Sequence, residues 1–280
     1  MRWRGTLGDP NELALLLGAL LPLAFAFAGE ARRGVPGAGR RPWLVAAAVA
    51  TLGAALWCIV LTGSRAGQLV VVTVLGATFV RRHGLRGALL GAVLALPVVF
   101  LGGRAGEEAD SSSLERVELL YDGIDMIRAH PLLGVGVGQF TDHAPGQMTA
   151  HNSYVLAAAE LGLPGCLVWT MLLYASIKIP WMLATRTPPA LDPRIRSMAV
   201  ALLVAFAGLL VGMFFLSFSY KAVLFLFFGL SGALFAVARE ACPGFQVRVS
   251  IAEVLRVAMV DAALLASVFA YSHWAIGHGS

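Results

Sequence analysis

The chain has 280 residues, 58% of them hydrophobic and only 13% charged, with a mean hydropathy of +0.78. A soluble domain of this size carries far more charge, so the composition excludes one and indicates an all-α, polytopic transmembrane helical bundle. The net charge of +5 lies in short arginine clusters between apolar runs, a pattern that orients membrane proteins and does not indicate a nucleic-acid partner.

In chain order, a polar dozen residues holding Asp9, Asn11 and Glu12 precedes the first span, 13–28, and does not resemble a signal peptide. The loop 30–42 carries Arg32, Arg33, Arg40 and Arg41, and a second span covers 43–61. The small-residue patch 62–67 is turn-prone. Spans three (68–80) and four (88–101) are short, so their flanking arginines must snorkel, or the two form a shallow hairpin. Residues 102–152 are then a long polar loop. It holds eight of the sixteen acidic residues, Glu107, Glu108, Asp110, Glu115, Glu118, Asp122, Asp125 and Asp142. Inside it, Ser112, Ser113, Leu114 and Glu115 read as a capping box opening a helix over 113–129, closed by Pro131. Val117, Leu120, Tyr121, Ile124 and Ile127 form its apolar face.

The apolar run 153–182 is too long for one simple crossing, and residues 160–165 are expected to break it. A helix at the outer surface over 152–161 and a fifth span over 164–182 follow from that break. A sixth span covers 198–216, a tight turn 217–221, and a seventh span 222–237; 257–274 is a candidate eighth, weakened by Asp261. The expected division is spans one to four in 1–101, a loop in 102–152, a surface helix with spans five to seven in 153–238, and a C-terminal segment 239–280. The total is about seven or eight spans. With loops alternating, one side collects fourteen Lys and Arg and the other seven, together all 21. The richer side is cytoplasmic by the positive-inside rule. The acidic loop and the 62–67 turn then both face outward.

Three polar residues on that face carry chemical promise. Arg65, between small neighbours, offers a planar fork of donors suited to phosphate oxygens; it also reads as an arginine snorkelling to headgroups. Arg116, near the start of the loop helix, reads equally as half of a surface ion pair. His151, where the loop ends and a helix begins, can take a proton from an attacking hydroxyl or serve as a cap. His130 and His143 share the loop, yet no histidine spacing suits a metal. Gly134, Gly136 and Gly138 do not complete a nucleotide fingerprint, because Gln139 stands where glycine is needed. They read as a connector that lets backbone approach a ligand or the bundle. Cys58, Cys166 and Cys242 are far apart and form no CxxC pair.

Thr62-Gly63-Ser64-Arg65-Ala66-Gly67, His130-Pro131-Leu132-Leu133-Gly134-Val135-Gly136, and His151-Asn152-Ser153-Tyr154 with Glu160-Leu161-Gly162 resemble the signature of the O-antigen ligase and polymerase family of bacterial membrane glycosyltransferases. Gly5-Thr6-Leu7-Gly8-Asp9-Pro10-Asn11 resembles a motif found before a mid-chain span of that family. The resemblance runs in order to about residue 237. It implies an undecaprenyl-diphosphate-linked glycan as donor. The implied acceptor is a glycan, a lipid A core or a protein, in the bacterial inner membrane with the active face outside and no cofactor or metal. It implies His151, Arg65 and Arg116 as catalytic residues, with both arginines on the diphosphate. Gly63, Ser64, Gly67, Asn152, Tyr154 and Glu160 take supporting places. Family members carry several more spans ahead of the 5–11 motif, so a fragment, a split gene or a mis-assigned start is expected. The competing readings are a transporter or flippase of lipid-linked glycan, which requires ionisable residues deep within spans, and an inactive subunit.

Overall fold

The computed structural model describes residues 9–33, 42–84, 86–87, 107–185 and 191–278. Among them there is no strand, and helices dominate: α1 (Pro10–Arg33), α2 (Pro42–Thr62), α3 (Arg65–His83), α4 (Glu107–Ala129), the single turn α5 (Phe140–His143), α6 (Ser153–Thr185), α7 (Pro193–Met213), α8 (Ala222–Ala241) and α9 (Ile251–His278). Six of these, α1, α2, α6, α7, α8 and α9, are long and apolar enough to cross a membrane. The protein is a multi-pass helical membrane protein.

Several helices start earlier than the apolar runs suggest, and proline explains it. Pro10, Pro42 and Pro193 each occupy the first helical position, where the missing N–H costs nothing and φ is already helical. Two of these starts share an Asp-Pro cap: Asp9 accepts from the Asn11 amide at 2.8 Å and Asp192 from the Arg194 amide at 2.8 Å. Residues 9–11 of the 5–11 motif are therefore a helix cap, and residues 5–8 lie outside the described residues. So does the expected fourth span, 88–101. The expected third span lies in α3, which is not among the six span-length apolar helices.

The described residues fall into two compact units. Unit 1 takes α1, α2, α3, most of α7 and most of α8. Its core is built on small residues. A Cβ on Gly67 of α3 would collide with Ala14 of α1, one on Gly18 with Val70, and one on Gly212 of α7 with Leu15. The helices pack closely because these positions lack side chains, and Val70, Val71 and Val74 are fully buried between them. Phe206 and Phe227 meet edge to face at 6.0 Å.

Unit 2 takes α4, α5, α6 as far as Ser176, residues 213–224 and α9, and the last turns of α6 belong to unit 1. The loop helix α4 begins at Glu107, so the expected capping box falls inside it and does not open it. Its buried face holds Val117, Ile124 and Ile127 as expected, joined by Leu119 and Met126. It packs on α9, where the Arg128 guanidinium lies 4.3 Å from the Phe269 ring centroid and Tyr121 meets His273 at 5.0 Å. Asp261 does not interrupt α9, the candidate eighth span, because it accepts a 2.7 Å hydrogen bond from the Thr170 hydroxyl.

The break in the long apolar run falls at Gly162 (φ 72°, ψ 175°) inside α6. The break frees two carbonyls: Ala159 would otherwise serve the Leu163 amide, and Glu160 would serve Pro164, which has no N–H. The loop 130–138 satisfies both. Val135 N–H donates to Ala159 O at 2.9 Å and Gly136 N–H to Glu160 O at 3.1 Å, while Leu163 N–H donates to Pro131 O at 2.8 Å. The glycine-rich run thus approaches backbone, as expected, and that backbone is α6. Gly134 must be glycine: its φ is +67° and a Cβ would strike the Glu160 backbone. Within 152–161, expected as a helix at the outer membrane surface, α6 begins at Ser153 and residues 152–160 are buried among their neighbours in unit 2.

Candidate functional site

In unit 1, Arg65 is placed by a short, tightly capped turn between α2 and α3. Gly63 (φ +58°) ends α2 in the left-handed conformation, its N–H donating to Val60 O at 3.0 Å. Thr62 donates to Ile59 O at 2.7 Å and accepts from the Ser64 amide at 3.3 Å. Ser64 caps α3 by accepting from the Gly67 amide at 3.1 Å. Gly63, Ser64 and Gly67 therefore act through structure: one ends a helix, one starts the next, and one lets α1 approach. Arg65 emerges exposed as the first residue of α3, in a first turn without acidic residues.

In unit 2, His151 sits at the mouth of α6, half-buried, with φ +49°. A non-glycine residue in that region is uncommon, though less so for asparagine, aspartate and histidine, and surrounding contacts hold it there. The holding element is the connection 214–221 between α7 and α8. His151 N–H donates to Ser217 Oγ at 3.0 Å. Asn152 caps α6 twice, its Oδ1 accepting from Tyr154 N–H at 3.0 Å and Val155 N–H at 3.1 Å, while its Nδ2 donates to Phe214 O at 3.2 Å. Ser153 Oγ donates to Leu216 O at 2.6 Å and accepts from Phe218 N–H at 2.8 Å. Ser219 Oγ donates to Ser153 O at 2.7 Å, and Trp169 Nε1 to Ser219 O at 3.1 Å. Tyr154 packs among Trp169 and Phe214, with centroids 6.0 and 4.8 Å away.

Glu160 is buried at 3% exposure and accepts from the Phe140 amide at 3.1 Å through Oε1; its Oε2 has no hydrogen-bond partner among the described residues. The Tyr220 hydroxyl is buried nearby and is also outside hydrogen-bonding geometry. Its phenol is pushed well above the ordinary value, first by burial and then by the Glu160 carboxylate. Arg116 lies near the middle of α4, as its tenth residue, and is half-buried. Seven residues on, about 10 Å along the helix, Gly123 faces Val155 of α6 and Phe140.

Arg116 and His151 therefore belong to one compact unit and Arg65 to the other. Sequence reading missed Ser217, Ser219 and Tyr220, and treated 217–221 as a plain turn. Their signal was a Ser-Phe-Ser-Tyr run, more polar than a tight connection between two spans requires.

Residues 50–170 match the family model for O-antigen ligase. Neither the curated proteins nor the solved structures include a match. The matched stretch contains Arg65, Arg116 and His151, and over these residues the chain is similar to the O-antigen ligase family.

Proposed function

We propose that the protein transfers a glycan from an undecaprenyl-diphosphate-linked donor to an acceptor hydroxyl on the extracytoplasmic face of the bacterial inner membrane. At the coarser level the family match supports a membrane glycosyltransferase of the O-antigen ligase or polymerase type. The observation that carries the finer reading is the family match over residues 50–170, which spans all three candidate residues. In this reading Arg65 and Arg116 hold the donor diphosphate. As the bond from the anomeric carbon to the phosphate oxygen breaks, negative charge grows on the leaving diphosphate. Guanidinium groups at a low-dielectric boundary stabilise that charge more than water does. His151 takes the proton of the acceptor hydroxyl as its oxygen attacks, so direct displacement inverts the anomeric centre without a metal.

The outward orientation is supported by the fourteen-to-seven division of basic residues. The flippase reading gains little, because a transporter gathers ionisable groups at mid-membrane; Asp261, the main such group, is bonded to Thr170. The test uses membranes of a deletion strain complemented with each variant at equal expression, scored for transfer from the endogenous lipid-linked donor. His151→Ala and Arg65→Ala abolish transfer, and Arg65→Lys loses most of it because an ammonium cannot bind bidentately. Undiminished transfer by His151→Ala removes the general-base role.

A further inference from the structure

Gln68 is a polar side chain in the wrong place for a purely structural helix. It lies one turn into α3 and is only 4% exposed. Its side-chain nitrogen has no hydrogen-bond partner among the described residues. A buried amide donor left unpaired is costly, and proteins rarely retain one without a use. Helical side chains lean back toward the N-terminus, so Gln68 leans over the turn that carries Ser64 and Arg65. That turn is the positive end of the α3 dipole. An arginine there adds positive charge to that end, and the first turn holds no acidic residue. Arg65 is exposed, and Gly63, Ser64 and Ala66 leave little bulk around it. A helix N-terminus, a guanidinium and an amide donor all favour one kind of ligand, an oxyanion.

We propose that the first turn of α3 is an oxyanion subsite, in which the Gln68 amide joins Arg65 and the helix N-terminus in binding one phosphate group of the lipid-linked diphosphate. The proposal rests on the donor assignment above and adds a residue that neither the family match nor the motif reading assigns. A phospholipid headgroup presents the same phosphate chemistry, so the test separates the two sources.

The full chain is placed in nanodiscs of phosphatidylcholine and titrated with undecaprenyl diphosphate, reading both affinity and the ligand-induced rise in melting temperature. Gln68→Met keeps the volume and removes the donor. It lowers affinity about tenfold, the scale of one hydrogen bond to a charged group. Its own unliganded melting temperature stays the same or rises, because an unpaired buried donor is gone. Gln68→Glu, which sets a carboxylate against the phosphate, loses binding further. Unchanged affinity in Gln68→Met overturns the proposal. So does a fall in the unliganded melting temperature, since the amide then serves the fold. Equal competition by phosphatidylglycerol assigns the subsite to a headgroup and overturns the donor assignment. Normal binding by Gln68→Met beside inactive His151→Ala defeats this subsite alone. Weakened binding beside fully active His151→Ala defeats the transfer mechanism alone.

Discussion

Replacing Ser217 with alanine removes a hydrogen bond that reaches the His151 backbone from the 214–221 connection. The backbone of His151 has φ +49°, a conformation that costs an L residue about 1–2 kcal/mol. The 3.0 Å bond from its N–H to Ser217 Oγ is worth about 1 kcal/mol net, so it offsets roughly half or more of that strain. Removing it lets the histidine backbone relax toward ordinary conformations. A change of about 1 kcal/mol alters the population of the native geometry roughly fivefold. Transfer by Ser217→Ala therefore falls about fivefold, while binding of undecaprenyl diphosphate is unchanged because the arginines are untouched. The neighbouring bonds of Asn152, Ser153 and Ser219 remain, so the protein stays folded. Transfer from endogenous donor in complemented membranes, normalised to protein amount, measures the rate. Ser217→Thr restores the hydroxyl and most of the rate. Full activity in Ser217→Ala, or an equal loss in Ser217→Thr, refutes the idea that this bond positions His151.

Two further outcomes test the frame around the site. Gly162→Ala adds strain of about 1–3 kcal/mol at a backbone conformation open only to glycine, and its Cβ would collide with the Leu132 carbonyl. With the three loop-to-helix hydrogen bonds at about 1 kcal/mol each, the total loss is roughly 4–6 kcal/mol; unfolding in detergent measures it, and hydrogen exchange at Val135 and Gly136 rises in parallel. Asp122 has its carboxyl held above the usual value, first by partial burial and then by Asp125 and Glu118. A carboxyl raised on folding contributes stability below its unfolded value and loses it as pH climbs through the folded value. Asp122→Asn thus raises the melting temperature slightly at neutral pH, and the difference vanishes below about pH 4.

Much of this protein was legible from its residues. Hydropathy and length determined the helical membrane class, because backbone groups in lipid must bond within their own segment. The break near residues 160–165 was readable from Gly162 and Pro164, since one tolerates positive φ and the other lacks an N–H. Arg65 and His151 were named from motifs, and the Arg65 turn is specified by the local caps of Thr62, Gly63 and Ser64. The tertiary structure alone decided three other matters. It showed that the glycine-rich run 134–138 binds the carbonyls freed by the α6 break, a partnership across more than twenty residues. It showed that 214–221 grips the residues that follow the polar loop, although more than sixty residues separate them. It placed Glu107 at the start of α4, overriding the capping box six residues later. Local sequence fixes which backbone groups a turn leaves unpaired; only the assembled fold determines which distant segment supplies their partners.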